Sequence, residues 1–494
     1  MWYKNRQPPT LSRPRHFHLS PHENIESSII IMAPVFFPPE IFQRIISYLV
    51  YDPHRGHRLG HYASVSRVWQ NEIEPWTFAL LHLDLQSLLQ LNSIVTARRR
   101  AYVHHIRLRV KLPKPEPWSW KYKETADEKL RNNQAFQAVL EAFLQSLSQW
   151  DVAEGHKDGV EVTFFVPLPR KGRDHPLEQW GARYKKSVLE MTDPGRIARL
   201  PSAATITKLK IPDDPDRQRL ISVVAVCALL AKLPAATEKV WLDWWKADRF
   251  ARMRNDLADA LSQISHPIDD FDLRDSYGGS NNQTPTAATE VLMLREGEED
   301  RLSKSLHVVS QRVKDFGVRR IPVSDEILFP RTIPASLAEP RWDRLVYFGL
   351  YYQPYDPWGE PLFLPDPDAD DSISLDGSEA SFWAPFDAPS ASTERSSLTL
   401  DIATPAIQRL YLAAARAALQ MPVLKEMELV AELEQWEYWH GFRYFVHQGS
   451  ATATWSSSSG FVPEDEVLQH WHKVPKKNLQ LELNVVISDD RDAV

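Results

Sequence analysis

The chain has 494 residues, of which 43% are apolar and 25% charged, and its formal net charge is −7. This composition excludes a wholly disordered chain, a collagen-like fibre and a coiled-coil rod. The acidic balance argues against a nucleic-acid partner, and the single cysteine, Cys227, excludes a disulfide framework and a CxxC zinc ribbon. We therefore expect a protein of a reducing compartment, cytoplasmic and/or nuclear.

The sequence predicts neither a signal peptide nor a membrane span. Residues 1–31 are rich in proline and arginine and lack the layout of a signal peptide, so a disordered leader is predicted there. The longest apolar run in the chain, Leu220–Ala231, is too short to span a bilayer and is predicted to be a buried helix. No membrane association is expected.

Two short helices are predicted next. Prolines and Glu40 suit the first turn of a helix, and Ile41, Ile45 and Leu49 then fall on one face. A second helical stripe follows a polar connector, and it includes Val65 and Trp69. The two helices carry more apolar side chains than a small hairpin can bury, which indicates a partner or a packed neighbouring domain.

These residues carry a resemblance to a known family. Phe37-Pro38-Pro39-Glu40-Ile41, the spaced Ile45 and Leu49, and Val65-Ser66-Arg67-Val68-Trp69 together resemble the F-box. The chain departs from the family pattern at Phe37, where leucine is usual, and at Ser66, where cysteine is common. The segment that follows, through Val110, is similar to the region after the box in fungal F-box proteins, where it leads into a leucine-rich-repeat-like region.

The resemblance implies a non-catalytic substrate receptor of an SCF-type ubiquitin ligase. The box would dock on a Skp-type adaptor and, through it, on a cullin scaffold, while the C-terminal region holds an unknown protein target. The side chains expected to bind the adaptor are Phe37, Pro38, Ile41, Ile45, Leu49, Val65 and Trp69. A ligase-independent interaction scaffold is the first alternative, and an enzyme with an unrecognised site is the second.

The middle of the chain alternates strand-like and helix-like segments. Period-2 patterns predict strands at 106–110, 160–166, 206–211, 240–242, 268–273, 319–323 and 345–350, and helical stripes predict helices between them, one of them over 302–316. One strand and one helix per unit is typical of an α/β solenoid, here with irregular spacing. The fold class expected is therefore α/β: a helical F-box, an irregular leucine-rich-repeat-like solenoid and an α+β C-terminal region.

An acidic, serine-rich stretch interrupts this pattern and predicts a disordered insertion centred on residues 365–398. After it, the patterns predict a helix from residue 404, a strand over 423–430, an antiparallel pair over 442–446 and 451–455, a short helix over 463–471 and a strand over 479–485. This last part resembles a C-terminal domain of fungal F-box proteins that has no assigned activity. The domain boundaries predicted are 1–31, 32–83, 84–353, 354–400 and 401–494.

The chain lacks the usual catalytic and cofactor motifs. GxGxxG, GxxxxGK[ST], HExxH and GxSxG are all absent. His54, His57 and His61 lie in a predicted loop and have no cysteine or carboxylate set to complete a metal site. Cys227 lies in an apolar helix, where a thiol is inert, and 296–300 is predicted to be a solvated acidic run. We therefore predict no catalytic residue, no cofactor and no metal.

Overall fold

The computed structural model describes most of the chain after residue 37. The described residues are 38–51, 59–115, 122–150, 159–168, 183–184, 187–211, 218–236, 240–244, 250–275, 294–295, 297–330, 339–364, 402–403, 405–431, 439–458 and 460–489. The predicted leader, Phe37, His54 and His57 lie outside these residues, as do 365–400 of the predicted insertion. The chain divides into two units, Met1–Leu59 and Gly60–Val494.

The described elements alternate between helices and strands. The helices are α1 (Pro39–Tyr51), α2 (Leu59–Ala63), α3 (Arg67–Ala79), α4 (Leu85–Ile94), α5 (Ala97–Arg100), α6 (Ala126–Leu147), α7 (Pro194–Ala198), α8 (Val223–Leu230), α9 (Phe250–Ser262), α10 (Arg301–Ser310), α11 (Pro405–Ala418) and α12 (Asp465–Leu479). A 3-10 turn covers Asp325–Ile327. The prediction of a mixed α/β fold is confirmed.

The strands of the described residues form two larger sheets and two small ones. They are β1 (Leu80–Leu83), β2 (His105–Arg109), β3 (Val160–Phe165), β4 (Val188–Leu189), β5 (Ile206–Lys210), β6 (Leu220–Ile221), β7 (Val240–Trp244), β8 (Ile268–Asp275), β9 (Val313–Arg319), β10 (Tyr347–Tyr352), β11 (Phe363–Leu364), β12 (Ile402–Ala403), β13 (Glu426–Ala431), β14 (His440–His447), β15 (Ser450–Ser457) and β16 (Leu483–Ser488).

The four-stranded sheet has the order β1-β2-β3-β5, and every neighbouring pair is parallel. The eight-stranded sheet has the order β16-β15-β14-β13-β10-β9-β8-β7. In it, the neighbouring strands β7, β8, β9, β10 and β13 run parallel, while β14 is antiparallel to both β13 and β15. The predicted antiparallel pair is β14 and β15, and that prediction is confirmed.

One hydrophobic core runs through the second unit, from Leu83 to Leu483. Helix α6 shows how the sequence builds it. Thr125 and Glu128 form a capping box at its start, and Phe136, Leu140 and Phe143 lie on its buried face. The strands contribute alternate residues: Val160, Val162 and Phe164 of β3 are buried, and the residues between them are half-exposed.

Several predicted elements differ from the structure. The buried helix predicted over Leu220–Ala231 begins only at Val223, because Leu220–Ile221 forms strand β6. The strand predicted over 319–323 lies earlier, as β9 at Val313–Arg319. The predicted helix over 302–316 is wrong after Ser310, because strand β9 begins at Val313. Phe316 stacks between Phe271, at 5.6 Å, and Phe348, at 5.2 Å, so packing between strands overrides the local helical pattern. The predicted strand over 479–485 begins only at Leu483, because α12 runs on to Leu479.

Residues 354–364, which the predicted domain boundaries include in the insertion, form ordered structure. Tyr355 and Pro361 form an isolated bridge, and β11 pairs antiparallel with β12. Leu362 and Phe363 are buried in the core. The eight-stranded sheet pairs β10 directly with β13, so its strands come from both sides of the acidic stretch.

Candidate interaction surfaces

Helix α1 exposes part of its apolar surface. Ile41 is 47% exposed and Tyr48 is 77% exposed, while Phe42 and Ile46 are buried. The predicted adaptor-binding residues differ in solvent exposure: Pro38 and Ile41 are exposed, whereas Ile45 and Leu49 are half-buried. The helix therefore carries both a buried stripe and a solvent-facing apolar stripe, and Ile41 lies on the second.

The start of the second unit also exposes apolar side chains. Val65, at 65% exposed, Val68 and Trp76 face solvent. Ser66 caps helix α3 by accepting a hydrogen bond from the backbone N–H of Trp69. Trp69 itself is half-buried and stacks on Tyr62 with ring centroids 6.1 Å apart.

A buried carboxylate fixes α3 in place. Glu74 accepts hydrogen bonds from Arg99, with the Nη2–Oε1 distance 2.7 Å, and from Gln70 at 2.7 Å, and it also pairs with Arg98. Burial favours the neutral acid, but the hydrogen bonds from Arg99 and Gln70 outweigh it and hold the pKa of Glu74 below its usual range. The exposed side chains of α3 are thus presented by an anchored helix.

The open face of the eight-stranded sheet carries a polar network that the sequence analysis missed. Tyr347 and Tyr351 both donate their hydroxyl protons to Oε2 of Glu428, at 2.8 and 2.6 Å. Arg443, on the neighbouring strand, donates from Nε to Glu426 at 2.9 Å, and that nitrogen lies 3.5 Å from Glu428. We call these five side chains the tyrosine–carboxylate network.

Glycine makes room for this network. Gly349 lies beside Glu428 in the sheet register, and a Cβ on it would lie 2.5 Å from the hydroxyl oxygen of Tyr347. Burial and the Glu428 carboxylate raise the pKa of Tyr347 and Tyr351, so both hydroxyls stay protonated at neutral pH. The network can offer hydrogen bonds and fixed charge to a partner, but its tyrosines do not serve as bases.

Five aromatic residues lie close together in the sequence near residue 440: Trp436, Tyr438, Trp439, Phe442 and Tyr444. Trp436 and Tyr438 lie outside the described residues, while Phe442 and Tyr444 are buried in the core. Trp439 is half-buried, and its indole N–H donates to the hydroxyl of Ser456 at 3.0 Å. Phe442 and Tyr444 therefore stabilise the fold and do not form a recognition surface.

A buried relay beside this group has the residue types of a hydrolase site. His440 Nδ1 lies 3.0 Å from the hydroxyl of Ser457, and its Nε2 lies 2.8 Å from the hydroxyl of Tyr411. All three side chains are almost fully buried. Because all three groups are buried, the relay satisfies hydrogen-bonding groups that burial removes from water.

The relay predicts a pH dependence of stability. Burial lowers the pKa of His440 to about 3, whereas an unfolded histidine titrates near 6.5. Below pH 6.5 only the unfolded state binds the proton, so the free energy of unfolding falls as the pH is lowered. We expect this histidine to remove about 2 kcal/mol between pH 7 and pH 5.

Chemical denaturation at the two pH values measures this effect. In His440→Gln, the free energy of unfolding should fall by about 2 kcal/mol less between pH 7 and pH 5 than in the wild type. His447→Gln, at an exposed position, should show the same fall as the wild type. His266 and His307, whose pKa values burial also lowers, contribute equally in both variants. Equal slopes for wild type and His440→Gln would contradict the assignment.

Other features of the described residues give little support for chemistry. A cavity of about 10 Å³ lined by Glu128, Arg131 and Arg183 holds at most one water molecule. Within the described ranges, no group of three or more histidine, cysteine or acidic residues could hold a metal ion, and no helix there is long and apolar enough to cross a membrane. Cys227 is buried, which raises the pKa of its thiol.

Comparison with known proteins gives a family match at the C-terminal end of the chain. Residues 393–493 match the sequence model of a family of unknown function, DUF6546, which covers about a fifth of the chain. No curated protein matches the chain. The matched range includes Glu426, Glu428 and Arg443, so the C-terminal half of the tyrosine–carboxylate network lies within it, while Tyr347 and Tyr351 lie outside it.

Proposed function

We propose that this chain is a non-catalytic substrate receptor of an SCF-type ubiquitin ligase, with its N-terminal residues acting as an F-box. The observation that carries the proposal is the solvent exposure of apolar side chains on α1, chiefly Ile41 and Tyr48. Exposed apolar side chains that lie together on one face are typical of protein-interaction surfaces. A Skp-type adaptor, bound in turn to a cullin, is the partner that the sequence resemblance implies.

The order of the strands supports the hypothesis that the central region is a leucine-rich-repeat-like solenoid. The parallel strands follow one another in chain order within each larger sheet, and a helix packs on the core between many of them. A stack of strand–helix units gives this order, because each unit contacts mainly its neighbours. The open faces of the sheets would then hold the target.

Loss of adaptor binding tests the proposal. Ile41→Asp places a charge on the exposed stripe without removing a buried side chain, so we expect it to weaken adaptor binding tenfold or more, about 1.4 kcal/mol or greater. The measurement is titration of the purified chain with a purified Skp-type adaptor. The thermal unfolding temperature should change little, because Ile41 is only about half buried.

Val308→Asp is the matched control, because Val308 is an aliphatic residue of similar exposure, at 41%, on helix α10. It should leave adaptor affinity unchanged. Equal affinity for wild type and Ile41→Asp, or no binding by the wild type, would overturn the adaptor assignment. Copurification of the adaptor without a cullin would favour the scaffold alternative.

A further inference from the structure

The open face of the four-stranded sheet is basic. Side chains of its strands that share this face form one row across all four strands, His82, Arg107, Thr163 and Lys210. The next row contains His105, Glu161 and Lys208, and Arg109 continues the face along β2. We call the cations of these rows, His82, His105, Arg107, Arg109, Lys208 and Lys210, the basic face.

The only carboxylate in these rows is already engaged. Glu161 pairs with Lys210 at 2.9 Å and lies 3.5 Å from Nε2 of His105. Arg107 and Arg109 are exposed, and neither forms an ion pair with any described residue. Among the described side chains of these rows, positive charge therefore exceeds negative charge, on a chain whose formal net charge is −7.

The electrostatics of His105 report how closely these cations lie. Burial lowers its pKa, and the charges of Arg107, Lys210 and His82 lower it further, against the opposing effect of Glu161. The open face of the eight-stranded sheet is different, because there Arg443 is neutralised by Glu426 and Glu428. Among the described residues of these rows, Arg107 and Arg109 are thus exposed cations that form no ion pair.

We propose that the basic face binds an extended acidic segment of the target protein, with carboxylates at alternate positions contacting Arg107 and Arg109. Residues i and i+2 of a strand lie about 6.7 Å apart on one face, which is also the spacing of alternate side chains in an extended peptide. Arginine forks match carboxylates bidentately. The inference rests on the proposed function only in calling this ligand the target of the receptor.

The dimensions and the total charge favour a peptide over a nucleic acid. Four strands span about 14 Å, enough for one extended chain but narrower than a duplex. A nucleic acid would also meet the overall negative charge of the rest of the chain, which opposes association with a long polyanion.

Direct binding tests the inference with the full-length chain. The probe is a fluorescent peptide of six Glu-Ser repeats, followed by fluorescence anisotropy at low and physiological salt, with six Gln-Ser repeats as the neutral comparison. We expect binding of the acidic peptide only, weaker at higher salt. Arg107→Glu/Arg109→Glu should reduce the affinity tenfold or more.

The matched control variant is Arg409→Glu/Lys473→Glu, which reverses two exposed charges on α11 and α12. It should bind as the wild type does. No binding of the acidic peptide, an equal loss in the control variant, or stronger arginine-dependent binding of a single-stranded RNA of twelve nucleotides would each overturn the inference.

Two crossed measurements separate this inference from the proposed function. Arg107→Glu/Arg109→Glu should still bind the adaptor, and Ile41→Asp should still bind the acidic peptide. If the adaptor fails to bind while the peptide binds, the ligase proposal fails and the basic face stands. If the peptide fails while the adaptor binds, the reverse holds.

Discussion

Replacing Asp300 with asparagine is expected to lower the free energy of unfolding by about 3–5 kcal/mol. The Asp300 carboxylate is fully buried and accepts hydrogen bonds from Arg254, from the backbone N–H and hydroxyl of Ser324, and from the backbone N–H of Ser303. Asparagine keeps the shape but removes the charge, so the buried guanidinium of Arg254 loses its counter-ion.

The contacts of Asp300 explain why its replacement should lower the free energy of unfolding by several kcal/mol. It caps helix α10, pairs with α9 through Arg254 at 3.2 Å, and holds Ser324 just before the 3-10 turn. Burial favours the neutral acid, but the charge of Arg254 and the hydrogen bonds outweigh it and lower the pKa of Asp300. The carboxylate is therefore ionised, and its contribution complete, at neutral pH.

Asp259→Asn is the control for this measurement. Asp259 also pairs with an arginine, Arg301, but both side chains are about half exposed, so the loss should be no more than about 1 kcal/mol. Urea denaturation at pH 7, followed by tryptophan fluorescence, gives both values. A difference of less than 1 kcal/mol between the two variants would contradict the prediction.

Asp300 also shows which contacts local sequence patterns do not predict. The acidic run 296–300 is predicted to be solvated, and for Asp300 this is wrong, because its partner Arg254 lies 46 residues away in the chain. No local pattern reveals such a pair. The tyrosine–carboxylate network was missed for the same reason, since Tyr347 and Glu428 are 81 residues apart, although alternation of Glu426 and Glu428 with buried neighbours gave a partial signal.

Local periodicity predicted more of the fold than of the surfaces. Period-2 patterns predicted strands β2, β3 and β8, and a helical stripe predicted helix α6. Such elements are predictable because a half-buried strand or helix alternates apolar and polar residues with its own period. Strand pairing did not follow, because pairing β10 with β13 brings together residues on both sides of the acidic stretch. On α1, the buried residues are Phe42 and Ile46, whereas Ile41 and Ile45 of the predicted stripe are exposed and half-buried, respectively.

Trp471→Ala is expected to cost about 3–5 kcal/mol of unfolding free energy, the range for a large aromatic removed from a packed core. Trp471 of α12 is fully buried, with its ring centroid 4.5 Å from that of Phe442 and 5.3 Å from that of Tyr444. The cavity left behind would separate α12 from strand β14, since both aromatic partners lie on that strand.

Trp76→Ala is the control, because Trp76 is about half exposed and its removal should cost about 1 kcal/mol or less. Both variants are measured by urea denaturation with far-ultraviolet circular dichroism, which does not depend on the tryptophan removed. Equal midpoints would contradict the packing. Because the core of the second unit is continuous from Leu83 to Leu483, the loss at Trp471 should lower the stability of the basic face as well, so its peptide binding should disappear at a lower urea concentration than in the wild type.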